Sequence, residues 1–437
     1  VSTSCSCMPG SAGGGCMANL LINPHLAAMS FTNPDVLVIG AGAAGISAAR
    51  TLLAGGLSCL VLEAAPRLGG RAKTCMSLGA PFDHGATWLH DADTNPLTRF
   101  ATDALDHDTV RERHVWMGDR WAVPAEIAAH AQAEQAFFDA MDAAAHLPDC
   151  PVASVVPEGG FWDATIRHWQ GAQIQAREVE LLSLHDQIEN DLEGPNLLPR
   201  QGVGALLAGL AKGLPIRLNA PVESLDWSGP GVVVRGGFGT LRARAAIVTV
   251  STGVLAAGGI RFTPALPARH AQAVHDLPMG LLTKFGFRCS ERLGIAPFHG
   301  IRVRVTPENP RPASWIMWPF GADHLFGFVG GARAWALSAA GPAETEAALR
   351  AEFAAIFGPG HLGQGLVTDW GANPHFLGSY SQARAGAAGA RAVLAEPLGP
   401  LLFAGEATHR GLAGTIGGAW AEGQRAAQSV LDNPPAA

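Results

Sequence analysis

One stretch near the start of the sequence, Val36 to Glu63, restricts the possible fold more than any other. Four apolar residues, Val36 to Ile39, lead directly into the sequence GAGAAG and then into a run of small residues with helical character. In such a unit Gly40 allows the tight turn, Gly42 lets backbone approach a pyrophosphate, and Gly45 lets the helix pack close to the strand. The helix N-terminus would then present unpaired N–H groups to the phosphates.

A second apolar run completes this pattern. Cys59 to Leu62 is followed by Glu63, 18 residues after Gly45, where a carboxylate can accept hydrogen bonds from a ribose. A glycine-rich turn alone is weak evidence, because many such turns bind nothing. Here strand, glycines, helix, second strand and acid follow in order, and this context predicts dinucleotide binding. Ala44, inside the turn, belongs to the predicted contact set.

Two further segments extend the predicted cofactor site. The segment after Glu63 contains a glycine pair that permits close backbone approach and two arginines that can bind phosphate or a flavin carbonyl. Near the C-terminus an apolar strand ends in Gly-Glu and a glycine-rich helix start follows, which is a second anion- and ribose-binding arrangement. A charged surface loop and a tight helix–sheet junction are the respective alternatives. The predicted contacts are Ala64, Arg67, Gly69, Gly70, Arg71, Gly405, Glu406, Gly414, Thr415, Ile416 and Ala419.

Composition and charge argue against several classes of partner. The chain has 437 residues, of which 48% are apolar and 15% charged, and its net charge is -7. Because this balance is globular and mildly acidic, we expect neither a nucleic-acid nor a membrane-surface partner. No apolar run reaches the roughly 18 to 20 residues that a membrane span needs.

Cysteine usage and the first residues indicate a reducing compartment. The 7 cysteines are scattered without zinc-type spacing, so we expect neither a disulfide framework nor a metal site. Residues 1–32 are rich in serine and glycine and are predicted to form a disordered leader. No Lys or Arg precedes Arg50, so we expect no secretory signal. A cytoplasmic monomer or homodimer is expected.

The pattern along the chain predicts two interleaved domains. Residues 33–94, 197–270 and 386–434 are assigned to a cofactor domain, and residues 95–196 and 271–385 to a substrate domain. The alanine-rich insert predicts helices at Pro124 to Ala145, Trp162 to Trp169 and Ile174 to Leu184. Its acidic run from Asp186 to Glu193 is interpreted as a solvated helix end, with a surface for a cationic substrate as the alternative.

Together these segments resemble the flavin-containing amine oxidases: monoamine, polyamine and spermine oxidases, histone-lysine demethylases and L-amino-acid oxidases. The likeness covers nearly everything after residue 33, and polyamine and spermine oxidases have similar GATW-(I/L)-H, GSYS and AGEATHR stretches. It implies the α/β amine-oxidase fold, in which a Rossmann-type two-dinucleotide FAD-binding domain is interleaved with an α+β substrate domain. The further cofactor contacts that it implies are Gly85, Ala86, Thr87, Trp88, Val222 and Trp370.

The resemblance also implies a chemistry. FAD, rather than NAD, would accept two electrons from a small-molecule amine, giving an imine that water hydrolyses to an aldehyde, and O2 would become hydrogen peroxide. Ser379 stands where monoamine oxidases carry the cysteine that bonds the flavin, so we expect non-covalent FAD.

Four residues match the family's catalytic positions. Lys284 lies among apolar neighbours, where an ammonium is costly unless it is paired or loses its proton. The family holds a lysine here that bridges through water to the flavin; a strand-edge lysine that reaches solvent is the alternative. Tyr380, the only tyrosine, matches one wall of an aromatic cage, and the opposite, commonly aromatic wall falls on Thr415. His90 matches a histidine that contacts substrate in polyamine and spermine oxidases.

Two other functions remain open. An L-amino-acid oxidase, or a desaturase-like member of the same fold, is one; an amino-acid oxidase would need an arginine for the carboxylate, and Arg311, Arg333 and Arg384 are candidates. The other is an FAD-binding protein without turnover that acts as a partner or scaffold.

Overall fold

The computed structural model describes residues 33–433. The helices are α1 (Ala43–Ala54), α2 (Pro124–Ala143), α3 (Asp163–His168), α4 (Leu184–Glu189), α5 (Val203–Leu210), α6 (Thr252–Ala256), α7 (Ala268–Asp276), α8 (Gly331–Ala340), α9 (Pro342–Phe357), α10 (Ala390–Ala395) and α11 (Ile416–Asp432), with a π-helix at Trp169–Gln175. The strands are β1 (Val36–Ile39), β2 (Cys59–Leu62), β3 (Thr74–Cys75), β4 (Phe82–Asp83), β5 (Ala104–Asp106), β6 (Arg113–Trp116), β7 (Leu197–Pro199), β8 (Ile216–Arg217), β9 (Val222–Asp226), β10 (Val232–Gly236), β11 (Gly239–Ala243), β12 (Ala245–Val248), β13 (Arg261–Thr263), β14 (Met279–Gly280), β15 (Leu282–Arg288), β16 (Gly300–Val303), β17 (Ser314–Ile316), β18 (His324–Gly330), β19 (Gly365–Val367), β20 (Tyr380–Ser381) and β21 (Leu401–Phe403).

A five-stranded parallel sheet, in the order β21-β12-β1-β2-β8, forms the centre of the nucleotide-type region. Its three middle strands are continuous apolar runs that are fully buried, as expected for a parallel sheet covered on both faces. Helices α1 and α11 pack tightly together at Gly423, where the missing side chain lets the backbones approach. A Cβ on Gly423 would lie only 2.1 Å from the carbonyl oxygen of Ala44. The first and last parts of the described chain thus build one layer.

A six-stranded mixed sheet, in the order β19-β15-β18-β17-β16-β6, forms the second region. Its core is aromatic: Trp315 packs edge-on against Phe285 with ring centroids 4.7 Å apart, and against Phe353 at 5.1 Å. Helices α2 and α3 belong to the insert that also supplies strand β6 to this sheet, and strands β9, β10, β11 and β13 form a separate four-stranded sheet. The two large sheets draw their strands from the predicted cofactor and substrate segments respectively, but the domain boundaries themselves stay predictions.

One predicted helix is wrong. Instead of a helix from Ile174 to Leu184, the π-helix ends at Gln175, Ala176 is left-handed with φ 56°, and α4 begins at Leu184. The reason is tertiary: the carbonyl of Ala176 accepts a hydrogen bond from the Leu281 N–H at 3.2 Å instead of one from the next turn of a helix. Within residues 33–433 no helix has the length and apolar character that crossing a membrane requires.

Candidate active site

The glycine-rich turn has the backbone geometry that its sequence predicts. Gly40 has φ 109°, which favours glycine, and a Cβ on Gly45 would lie 1.8 Å from the Gly40 carbonyl oxygen. Gly42 is the N-terminal cap of α1. A Cβ added to Gly70 would lie 3.2 Å from the Cα of Gly42. Two side-chain-free backbones therefore face each other at a helix N-terminus, which is the cradle that a pyrophosphate needs.

Glu63 holds this cradle together. Its carboxylate is buried and accepts hydrogen bonds from the N–H groups of Ala41 at 2.7 Å and Ala65 at 2.8 Å. A carboxylate has about four acceptor positions, so capacity remains for ribose hydroxyls. Arg67, by contrast, turns inward: it donates to the Gly70 carbonyl at 2.7 Å, and its guanidinium carbon lies 5.8 Å from the centroid of Trp370.

Glu406 is the centre of a buried ionic network. Arg71 donates to its carboxylate at 2.8 Å, and the hydroxyl of Ser381 donates at 2.7 Å. Ser381 in turn accepts from Arg391, which forms a buried ion pair with Asp186 at 2.6 Å. Arg71 and Ser381 thus already donate hydrogen bonds to the Glu406 carboxylate oxygens. The contact of Glu406 with a ribose stays a prediction.

This network also changes the interpretation of the acidic run. Asp186 is 2% exposed and paired, and is not part of a solvated helix end. The solvated interpretation is therefore wrong for this residue. Its partner Arg391 comes from 205 positions further along the chain, which is why local sequence pattern could not identify the pair.

Lys284 lies buried on β15, only 5% exposed. Its ammonium donates to the Gly85 carbonyl at 3.1 Å and to the hydroxyl of Thr87. Burial lowers the pKa of Lys284 to about 8, although the nearby Asp83 carboxylate acts in the opposite direction. The strand-edge alternative, in which this lysine reaches solvent, is wrong.

Aromatic side chains surround the Lys284 ammonium. The nitrogen lies 5.4 Å from the ring centroid of Trp88 and 4.9 Å from that of Phe326. Phe328 is directly opposite Lys284 in the antiparallel β15–β18 pair, and Trp169 of the π-helix lies 6.2 Å from Phe328. The sequence motifs did not predict that Phe326, Phe328 and Trp169 lie here. The available signal was that Phe326 and Phe328 are two residues apart in a strand and therefore lie on the same face.

Tyr380 lies between two backbone segments. Its hydroxyl donates to the carbonyl of Ile174 in the π-helix at 2.6 Å, and a Cβ on Gly414 would lie 3.3 Å from its ring. Thr415, from the same turn as Gly414, is buried; its hydroxyl donates to the Leu412 carbonyl at 2.7 Å and accepts from the Gly418 N–H at 3.0 Å. The Thr415 hydroxyl is thus a helix cap.

His90 lies beside Asn196 and Trp88, and the acid near it is Asp108. Its Nδ1 is 2.6 Å from Asn196, its ring stacks on Trp88 with centroids 6.0 Å apart, and burial lowers its pKa.

Asp191 has a raised pKa because of burial and the nearby carboxylates of Glu193, Asp142 and Asp91. Asp91 directly follows His90 and accepts from the Gly194 N–H at 3.1 Å, which fixes the acid-bearing segment here.

The other predicted contacts are spread over the surroundings of the cradle. Gly85 approaches the Arg71 carbonyl so closely that a Cβ would lie 1.9 Å from it, and Ala86 donates to that carbonyl at 3.2 Å. The indole of Trp370 donates to the His84 carbonyl at 3.0 Å. The remaining ones are Ala44, Ala64, Gly69, Val222, Gly405, Ile416 and Ala419, all buried or half-buried.

Of the arginines considered for a carboxylate, two already have partners. Arg333 donates to Glu352 and to the Arg311 carbonyl, and Arg384 lies 3.9 Å from Asp276. A different one, Arg177, has a buried Nη1 that finds no hydrogen-bond partner among residues 33–433. It follows the π-helix by two positions.

Comparison with known proteins agrees with this geometry. The profile described as flavin containing amine oxidoreductase matches residues 43–148 and 156–431. Polyamine oxidase 5 of Oryza sativa subsp. japonica is 29% identical over 92% of this chain and 89% of its own length. Lysine-specific histone demethylase 1 homolog 3 of the same rice is 28% identical over 90% of this chain, which spans only 54% of that relative.

A solved structure gives the same fold. A double mutant of putrescine oxidase, from a redesign of its cofactor binding, matches with a TM-score of 0.76 at 20% identity, covering 92% of this chain and 99% of that one. The predicted α/β fold class is therefore confirmed. Fold and site together define a flavin-type oxidoreductase. The chain belongs to the flavin-containing amine oxidoreductase family.

Proposed function

We propose that the chain is an FAD-dependent amine oxidase that converts a small primary or secondary amine, polyamine-like or otherwise, to an imine. Water then hydrolyses the imine to an aldehyde, and O2 is reduced to hydrogen peroxide. The observation that carries the proposal is the buried Lys284 ammonium, held by Gly85 and Thr87 between two aromatic rings, close to the cofactor-type backbone. The cytoplasmic location and the monomeric or dimeric state remain predictions from the sequence.

The residues present fit a non-covalent FAD. The facing glycines at positions 42 and 70 and the α1 N-terminus would hold the pyrophosphate, and Glu63 would bind a ribose. When bound, the flavin accepts two electrons from the carbon next to nitrogen and passes them to O2. Ser379 has a hydroxyl where a covalent link would need a thiol, and this hydroxyl donates to the Leu282 carbonyl at 3.1 Å. Flavin that stays with the protein after acid precipitation would contradict this assignment.

The surroundings of the site suit an amine that arrives as a cation. The carboxylates of Asp91, Asp191 and Glu193 lie near one another, and Trp88 and Tyr380 are the rings that we propose would face an ammonium group. Close to the reacting carbon the amine must be neutral, since its lone pair assists loss of the hydrogen. A rise of rate with pH is therefore expected, and a flat profile between about pH 6 and 10 would argue otherwise.

Lys284 is proposed to hold a water molecule at the reacting face and to assist the reaction with O2. Its neutral form, favoured above a pKa of about 8, would accept a hydrogen bond from that water. We expect Lys284→Met to slow flavin reduction or reoxidation by about 100-fold, the usual scale for a positioned acid–base group. Lys212→Met, at an exposed lysine, is the matched control. Stopped-flow rates unchanged in both half-reactions would rule out the role.

A peroxide-release screen tests the whole proposal. Purified, flavin-loaded protein is offered polyamines, monoamines, cyclic amines and amino acids. Turnover of amines supports the proposal, and turnover of amino acids alone supports the second candidate. Protein that stays colourless after incubation with FAD would exclude both the amine oxidase and the L-amino-acid oxidase. Yellow protein without turnover would favour the non-catalytic FAD-binding alternative.

An L-amino-acid oxidase is the second candidate, and the buried, unpaired Nη1 of Arg177 favours it. An arginine with a free N–H is the group that would bind a substrate carboxylate. Arg177→Met should then raise KM for an amino acid and leave KM for an amine without a carboxylate unchanged. Equal effects on both substrates would exclude this role.

A further inference from the structure

The edge of the six-stranded sheet carries a second group of reactive side chains. Glu112 immediately precedes β6, and His114 lies two residues further on, so both point to the same face. His299 immediately precedes β16, which pairs in parallel with β6 so that Gly300 is opposite Arg113. The register therefore places His299 beside Glu112, on the face that also carries His114.

The donor atoms of these three residues converge. Nε2 of His114 lies 2.9 Å from Nδ1 of His299, at hydrogen-bonding distance, and the other ring nitrogen of His299, Nε2, lies 3.7 Å from the Glu112 carboxylate. One ligand atom from each residue lies within 4.8 Å of the others, and residues 33–433 contain no other group of three such side chains that could share an ion. Glu112 is exposed and the two histidines are half-buried, so the group opens to solvent.

We propose that Glu112, His114 and His299 form a site for a divalent transition-metal ion, with Zn2+ as the representative. Two imidazoles and one carboxylate are a ligand set that such ions accept, with a fourth position left for water. Bonds of about 2.0 to 2.1 Å in a tetrahedral site put neighbouring ligand atoms roughly 3.3 to 3.4 Å apart, so the histidine nitrogens that are 2.9 Å apart must separate by about 0.4 Å when an ion binds. Trp121 packs edge-on against His114, with ring centroids 6.0 Å apart, and holds its orientation.

The proposed site is separate from the amine-oxidising centre. Lys284 is on β15, and four strand-to-strand steps separate β15 from β6 in the sheet. At about 4.8 Å a step, this is roughly 19 Å. A bound ion would join the edge strand to its neighbour, because His114 comes from one and His299 from the other. Its effect would be on the stability of this sheet rather than on the chemistry of amine oxidation.

Calorimetric titration of the flavin-loaded full chain with ZnCl2 tests the proposal. We expect the wild-type chain to bind about one ion. His114→Ala should bind none, or bind it at least tenfold more weakly. Glu112→Gln, at an exposed position that should not disturb folding, should weaken binding as well. The matched control is His361→Ala, because His361 and Glu291 form a histidine–carboxylate pair at 2.9 Å without a second histidine.

Co2+ as a spectroscopic probe separates this site from thiol ligands elsewhere in the chain. Ligation by two imidazoles and a carboxylate gives weak visible bands without the near-ultraviolet charge-transfer band of a thiolate. Visible bands that disappear in both site variants and persist in His361→Ala support the site. Wild-type protein that binds neither ion, or site variants that bind as wild type does, would leave His114 and His299 as a hydrogen-bonded pair and overturn the proposal.

Discussion

The cofactor-type cradle lies next to the aromatic side chains near Lys284, but the two are built in opposite ways. These aromatic side chains form a wall and are Trp88, Phe326, Phe328 and Trp169. The cradle depends on missing side chains: at Gly45 and Gly85 a Cβ would lie within 2 Å of a carbonyl oxygen. The wall depends on large side chains from distant segments, among them Trp88, Trp169 and Phe326. The cradle should therefore fail abruptly on substitution, whereas the wall should change by degrees.

The sharpest test is a pair of glycine substitutions. Gly45→Ala puts a methyl group 1.8 Å from the Gly40 carbonyl oxygen, so we expect loss of folded, flavin-containing protein. Gly42→Ala finds its nearest atom at 3.9 Å and should fold, but its methyl group enters the cradle and should weaken FAD binding by about tenfold or more. The flavin content of the purified variants measures FAD binding, and circular dichroism measures folding. Gly209→Ala, with open space around it, is the control, and equal behaviour of all three would break the comparison.

The next largest effect concerns the buried ionic network around Glu406. Arg391→Gln leaves the Asp186 carboxylate buried without its partner, which should cost about 3 to 5 kcal/mol of unfolding free energy. Chemical denaturation measures this loss. Arg120→Gln, which breaks an exposed pair with Glu126, should change little. Similar losses in the two variants would mean that burial does not make the Asp186–Arg391 pair more important for stability than an exposed pair.

Lys284 gives a pH test of the wall. Its pKa in the folded protein is about 8, against 10.5 for a free lysine, so between these values the unfolded chain binds more protons than the folded one. Stability should therefore rise with pH across this window, and the rise should be missing in Lys284→Met. Denaturation curves collected from pH 7.5 to 10.5 provide the measurement. Parallel pH profiles for the two proteins would show that this ammonium is not buried.

The smallest effect is expected at Tyr380. Tyr380→Phe removes the hydrogen bond to the Ile174 carbonyl and should cost about 1 kcal/mol, with a modest change in KM. Burial, aided by Glu406, raises the pKa of the Tyr380 phenol above its usual 10. Because this is the only tyrosine, an ultraviolet titration reports on it alone. A phenolate that forms at the usual pH would contradict the buried placement.

The same contrast explains how much could be read from the sequence. Strands β1 and β2 and the turn between them agree with prediction, because glycine requirements and buried apolar runs are local properties. The end of the helix at Gln175 could not be predicted, since the hydrogen bond from the Leu281 N–H to the Ala176 carbonyl comes from another part of the chain. The Asp186–Arg391 pair and the convergence of His114 and His299 have the same cause.

The sheet order has a consequence for how the protein is made. Strand β12 pairs with β1 on one side and with β21, at Leu401–Phe403, on the other. A ribosome must therefore continue from β12 as far as Phe403 before the last strand of this sheet is available. Until then the nascent chain carries Arg71 without its Glu406 partner and one uncovered flank of β12. Such an intermediate exposes apolar surface, and it is the stage at which chaperones would be needed most.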